Sequence, residues 1–295
     1  MRTTLLVLLL AMMAPSVMAQ RDADVTSGSL TTSDGARLHY LEAGTGGAIL
    51  FVPGWTGVAD FWKDQVDHFA GSYRVVAIDP RSQGDSSKVL EGNYRDRRAQ
   101  DIKEVIDQLG LAPVVLVGWS MAVGEVLSLV EQFGTGDLRA LVLVDGGVTI
   151  SPDPQARGQG LLRALQEADE MQVNRMEFVN RQARTMFSRP HTEEFYQGVI
   201  AANLKTPTDV AAILWINQSV RDYRPTLQKI DRPVIFISQH EPARLRQAEI
   251  VKQEIPAARI EVFNDSGHAI FMDEPERFNA VMEDFLRTHA DERGR

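Results

Sequence analysis

One stretch limits what this chain can become: Val114-Val115-Leu116-Val117-Gly118-Trp119-Ser120-Met121-Ala122-Val123-Gly124. The apolar, mostly β-branched run before the glycine predicts a buried strand. Residues 122–133 carry helical spacing directly behind it. A strand that turns into a helix within so few residues pushes the side chain at the bend outward and strains its backbone. The positions two before and two after the serine must be small, because strand and helix nearly touch there. Here they are Gly118 and Ala122. The pattern G-x-S-x-G thus has alanine in its last place, one methyl group more, with Gly124 close by. Taken alone, the stretch also reads as an ordinary buried strand–turn–helix with a capping serine.

The chain around it repeats the same alternation. Apolar strands are predicted at 48–52, 73–78, 138–144, 233–237 and 259–263, with helical spacing at 59–70, 95–109, 244–254 and 274–289. Strand alternating with helix means a mostly parallel sheet covered on both faces. In such sheets the site lies at the carboxyl ends of the strands. The segment 53–57, the turn at Asp79, Ser120 and Asp145 all fall on that edge. Residues 30–33 and 37–42 predict a hairpin around Asp34-Gly35, after a loose polar stretch over 20–29. From 151 to 230 the sequence shows helical spacing and no strand, at 161–187, 191–204 and 208–223, broken by Pro190 and Pro207. The expected organisation is a core over 20–150, an inserted helical cap over 151–230, and a second core portion over 231–295.

Residues 1–19 hold one charge, Arg2, an apolar run over 5–14, a Pro15-Ser16 break and Val17-Met18-Ala19. This predicts a secretory leader cleaved after Ala19 and an exported, periplasmic or extracellular protein. The apolar run falls short of the roughly 20 residues a spanning helix needs, so no stable membrane insertion is expected. The chain has no cysteine, which excludes disulfides, thiolate metal sites and a cysteine nucleophile. A net charge of −9 argues against nucleic acid and anionic membranes as partners. It also disfavours a highly anionic substrate, although local fields can override the total. The turn Gly44-Thr45-Gly46-Gly47 lacks the features of a phosphate loop, and no cofactor or metal is expected.

A serine hydroxyl needs a base to take its proton and a carboxylate to hold that base in the right tautomer. Of the six histidines, His39, His68, His191 and His289 stand in strand, helix or tail positions that suit structural roles. His240, in a carboxyl-edge loop, is a second candidate. His268 follows a strand and a glycine late in the chain, which suits the order serine, acid, histidine. The turn at Asp79-x-Arg81 is expected to be fixed by an ion pair between those two side chains.

Three segments together, the elbow at Ser120, Asp79-x-Arg81-x-x-Gly84-x-Ser86, and Gly267-His268-x-x-x-x-Asp273-Glu274-Pro275-Glu276-Arg277-Phe278, resemble the α/β-hydrolase superfamily over about residues 29–288. The nearest general likeness is to capped esterases, perhydrolases and cofactor-free haloperoxidases. The resemblance implies an α/β-hydrolase fold and an oxyanion hole made by two backbone N–H groups. One is that of Met121. The other comes from the turn after the first buried strand, where the family often has His-Gly and this chain has Pro53-Gly54; since Pro53 lacks an N–H, Trp55 is the expected donor. For the acid two positions stay open. Glu241 stands where the family often places an aspartate in the loop after strand 233–237, and Asp145 stands where some relatives carry theirs. Trp119, Phe187 and Trp215 are candidates for an apolar pocket. The expected activity is hydrolysis of small, apolar carboxylic esters through an acyl-enzyme. Acyl transfer to peroxide, or a non-catalytic ligand-binding protein on the same fold, are the alternatives.

Overall fold

The computed structural model describes residues 24–290 apart from Pro152 and Ser219. The expected leader and its cleavage after Ala19 lie outside the described residues. Among the described residues eight strands form one sheet: β1 (Thr26–Thr31), β2 (Arg37–Ala43), β3 (Gly47–Val52), β4 (Tyr73–Ile78), β5 (Val114–Trp119), β6 (Leu138–Val144), β7 (Val234–Gln239) and β8 (Arg259–Phe263). Their order across the sheet is β1-β2-β4-β3-β5-β6-β7-β8. Strand β2 runs antiparallel to β1 and β4, and the other pairings are parallel. The strand expected from residue 30 begins at Thr26, inside the stretch expected to be loose. It is an edge strand with only Leu30 buried; an edge needs backbone pairing on one side and no apolar run.

The helices are α1 (Lys63–Phe69), α2 (Arg95–Gln108), α3 (Met121–Phe133), α4 (Pro154–Val173), α5 (Arg175–Thr185), α6 (Glu193–Leu204), α7 (Thr208–Asn217), α8 (Arg224–Leu227), α9 (Pro242–Glu254), α10 (Ile270–Asp273) and α11 (Pro275–Ala290). Every residue of β5 is buried, as a central strand covered on both faces requires. Leu116 packs with Ile102 and Val105 of α2 and Val126 and Leu127 of α3. Its neighbours Val115 and Val117 point the other way, into the cluster of Val66, Phe69, Phe278 and Met282 from α1 and α11. The period of two along the strand thus fills two separate core layers. Among the described residues no single helix is long and apolar enough to cross a membrane.

Helices α4 to α7 occupy the chain between β6 and β7. The helical spacing expected over 161–187 is divided at Asn174, whose backbone leaves the helical region and whose side chain accepts from Glu177 N–H to cap α5. Helix α4 starts earlier than expected, because Asp153 accepts from Gln155 and Ala156 N–H and Pro154 sits at the first helical position. Tyr223, Leu227 and Ile230 are buried with α2 and α3 against the sheet. The end of the 151–230 stretch therefore packs in the layered core.

The turn after β4 departs from expectation. Asp79 makes no pair with Arg81; its carboxylate lies 2.8 Å from His39 Nδ1 and accepts from Ala59 and Asp85 N–H at 2.7 Å each. Arg81 turns instead to Asp101 and Asp34. Beside it, buried Arg98 donates to Glu125 at 2.5 Å and to Gln83 Oε1 at 2.7 Å. Gln83 in turn donates to the carbonyls of Gly54 and Gly57, so this run braces the loop after β3. Removing the carboxylate leaves a buried guanidinium without its counter-charge, so Glu125→Ala is expected to lose about 3–5 kcal/mol in urea unfolding. Replacing both partners, as Arg98→Met with Glu125→Met, is expected to cost clearly less. A loss under about 1 kcal/mol for the single change would remove the pair from the stabilising framework.

Candidate active site

The bend between β5 and α3 is built by close approach. A Cβ at Gly118 would lie 2.8 Å from Val126 Cγ2 and 3.0 Å from Ala122 O. Only glycine leaves that crossing open. Ala122 is fully buried in the α2–α3 layer, where its methyl group packs instead of clashing. Ser120 has φ 58° and ψ −118°, a conformation that costs a non-glycine residue of order 1–3 kcal/mol. Its N–H donates to Val144 O at 2.8 Å, tying the bend to the end of β6.

That strand end carries the acid partner of the histidine. Asp145 follows β6 with φ 47° and donates its N–H to Ile237 O at 2.8 Å. Its carboxylate is completely buried and accepts from Gln239 N–H at 3.0 Å and Gln239 Nε2 at 2.9 Å. His268 Nδ1 lies 2.6 Å from Asp145 Oδ2, and His268 Nε2 lies 2.7 Å from Ser120 Oγ. Three groups from three loops thus form one hydrogen-bonded run. Glu241, the other position left open for the acid, is corrected by this geometry. Its carboxylate turns back to accept from Ala243 and Arg244 N–H at the start of α9, at 3.1 and 3.2 Å. With Pro242 next in the chain, Glu241 is the N-cap of a helix. His240 is exposed and donates its N–H to Phe263 O.

The histidine loop is held from two sides. Trp119 Nε1 donates to His268 O at 2.9 Å, so Trp119 acts as a brace as well as a wall. Asp273, which sequence reasoning left without a role, accepts from Gly267 N–H at 2.7 Å and from Ser188 N–H at 2.9 Å, and meets His191 Nε2 at 3.2 Å. It couples the His268 loop to the connection between α5 and α6. Its place in the Gly267–Phe278 motif was the available signal; its partner Ser188 is 85 residues away and nothing local announces it.

The loop after β3 passes directly over the serine. A Cβ at Gly54 would lie 2.8 Å from Ser120 Cβ and 3.3 Å from Ser120 Oγ, which makes glycine a steric necessity. Among the described residues neither Trp55 N–H nor Met121 N–H has a protein acceptor. The Trp55 side chain donates to Ala211 O at 2.8 Å and packs edge-on against Trp215 at 4.7 Å, tying this loop to α7.

Two clefts meet at Ser120. One, about 340 Å³, is lined by Trp55, Trp119, Met186, Trp215 and His268 among others. Its neighbour, about 370 Å³, is lined by Met121, Gly124, Trp215 and three arginines, Arg95, Arg163 and Arg244. Trp119 and Trp215 therefore stand where a pocket was expected. Phe187 does not: it is buried among His191, Phe195 and Tyr196, with ring centroids 4.7, 5.1 and 6.1 Å away. Its aromatic bulk packs α6, and its neighbour Met186 faces the cleft. Beside these aromatic walls the space at Ser120 also carries guanidinium groups, with Arg244 lining both clefts.

A mostly parallel sheet with a strained serine at a strand-to-helix bend, a histidine on a late loop and helices over the carboxyl edge is the α/β-hydrolase arrangement. The model of the Alpha/beta hydrolase family matches residues 49–281, and the chain belongs to that family. A non-heme chloroperoxidase of Kitasatospora aureofaciens is 29% identical over 276 residues, 87% of this chain and 98% of that protein. A bifunctional esterase/perhydrolase of Acinetobacter calcoaceticus is 27% identical over 225 residues, 71% of this chain and 80% of that protein. Among solved structures, an esterase from Exiguobacterium antarcticum superposes with a TM-score of 0.79 at 22% identity, covering 88% of this chain and 98% of that one. The chain thus has esterase and non-heme haloperoxidase homologues, and these support a hydrolase.

Proposed function

We propose that the protein is a serine hydrolase that cleaves small to medium carboxylic esters through an acyl-enzyme. The observation that carries the reading is the run Asp145–His268–Ser120 at the strained bend. Ser120 Oγ attacks the carbonyl carbon while His268 Nε2 takes its proton. Asp145 keeps a proton on Nδ1 and stabilises the imidazolium. The carbonyl oxygen, now negative, faces the N–H groups of Met121 and Trp55. The bond to the leaving oxygen breaks as His268 returns the proton to it. Water, deprotonated by His268, then attacks the acyl carbon and releases acid and free Ser120. Ester, water and the protein's own groups balance these steps.

Peroxide in place of water would release a peracid from the same acyl-enzyme. The bifunctional esterase/perhydrolase relative is the specific reason to keep this second reading. We also propose export, with residues 1–19 as the leader; the support is the sequence pattern described above.

The test is acyl-enzyme capture. With p-nitrophenyl butyrate the protein is expected to release p-nitrophenol continuously, and an acid quench within the first turnovers should leave one butyryl group on the Ser120 peptide by mass spectrometry. Absence of both turnover and adduct would overturn the reading. If added peroxide speeds p-nitrophenol release and peracid accumulates, the second reading takes precedence.

A further inference from the structure

The cleft on the Met121 side of Ser120 has a charge pattern that ester hydrolysis by itself does not need. Arg95, Arg163 and Arg244 come to it from the starts of α2 and α9 and the middle of α4. Elsewhere in the molecule Arg74, Arg81, Arg98, Arg181, Arg221 and Arg259 are each paired with a carboxylate. Among the described residues, Arg95 and Arg163 pair with none. Arg95 donates to Asn217 O at 3.0 Å and lies over the Tyr223 ring at 5.4 Å. The nearest carboxylate to Arg244 is that of Asp145, at 3.7 Å. Among the described residues the only acid lining this cleft is Glu167, which accepts from Trp215 Nε1 at 2.7 Å. Gly124 belongs to the same construction: a Cβ there would lie 2.8 Å from Arg95 Nε. Glycine inside a helix is destabilising relative to alanine, and here it opens the passage of Arg95 across α3.

We propose that this cleft binds a free carboxylate on the acyl half of the substrate, so that the preferred substrates are hemiesters of dicarboxylic acids. The inference rests on Ser120 as nucleophile. The assignment to the acyl half follows from His268, which must reach the leaving oxygen and lines the other cleft, beside Trp55, Trp119 and Met186. The alcohol therefore departs toward the aromatic cleft and the acyl chain extends toward the arginines. A guanidinium matches a carboxylate with two parallel charge-assisted hydrogen bonds, which a neutral ester group cannot offer. In a chain of net charge −9, three arginines lining one cleft, two of them without a carboxylate partner, focus a local positive field where the overall field would repel anions.

The first measurement needs no turnover: calorimetric binding of monomethyl glutarate and of dimethyl glutarate to the Ser120→Ala protein. The hemiester is expected to bind about 10-fold or more tighter at low salt, with the difference shrinking as ionic strength rises. Adding Arg163→Gln, an exposed position whose loss leaves the core intact, is expected to remove most of the difference. Equal affinities, or a preference that survives Arg163→Gln unchanged at every salt concentration, overturn the proposal. The second measurement is the ratio of kcat/KM for p-nitrophenyl hemiglutarate over p-nitrophenyl pentanoate in the wild-type protein, expected to favour the hemiester and to fall about 10-fold in Arg163→Gln. A ratio that favours the neutral ester, or does not change in the variant, overturns it as well. Hemiester binding without turnover of either ester would leave the anion site standing and strike down the nucleophile reading.

Discussion

Ser120→Ala is expected to lower kcat on p-nitrophenyl butyrate by about 10⁴-fold or more while leaving the fold intact. The size follows from what the side chain would do. It forms the bond to the carbonyl carbon, and nothing else at the bend of β5 and α3 carries a nucleophilic atom within reach of His268 Nε2. Residual rate would come from the two N–H donors and from substrate positioning alone. Stability should rise slightly or stay level, since alanine is smaller but still sits at φ 58°. Activity within about 10-fold of wild type, measured on protein free of contaminating esterase, would place the chemistry elsewhere in the molecule.

The second large effect separates the two carboxylates. Asp145→Asn is expected to reduce kcat by about 10³–10⁴-fold at neutral pH, and Glu241→Gln by no more than about 3-fold. Asp145 accepts from three donors: Gln239 N–H on one oxygen, and Gln239 Nε2 with His268 Nδ1 on the other. An amide has one accepting oxygen, so whichever way the substituted side chain turns, its NH₂ faces a donor. If it faces His268, the imidazole is pushed toward the tautomer that cannot take the serine proton. Glu241 is 2–3 residues from the N–H groups it caps; its loss should appear as a stability change of about 1 kcal/mol or less. Equal losses in both variants would show that the cap of α9 and the histidine loop work as one unit. A large loss only in Glu241→Gln would exchange the roles assigned here.

The legible part of this molecule was local. The apolar run before Gly118 defined β5, its β-branched character separating strand from helix, and the serine followed from the crowding that demands Gly118. His268 was legible from its place after β8 and a glycine. The acid was not, because Glu241 and Asp145 both follow carboxyl-edge strands and both carry the right charge. What separates them is the φ of 47° that aims Asp145 at the histidine and the two N–H groups that draw Glu241 back onto α9. Phe187 was misplaced for a related reason: aromatic residues on neighbouring turns alternate between cleft and interior, and only packing reveals that Met186 has the outward place. The expected Asp79–Arg81 pair failed because Asp101 and Asp34, distant in the chain, reach Arg81 while backbone N–H groups occupy Asp79.

Composition gave a total charge, and a total charge says little about a cleft. The −9 of the whole chain pointed away from anionic ligands, whereas Arg95, Arg163 and Arg244 converge beside Ser120 from three separate helices. By itself, then, the amino-acid sequence determined the alternation of strand and helix, the strained serine and the candidate base, because each depends on side-chain size and period over a few residues. Tertiary structure decided which carboxylate meets the imidazole, which aromatic rings face the cleft and where the arginines gather. Those depend on groups brought within about 3–4 Å from positions tens to more than a hundred residues apart, and Coulomb and hydrogen-bond energies are set by that distance and burial, not by order along the chain.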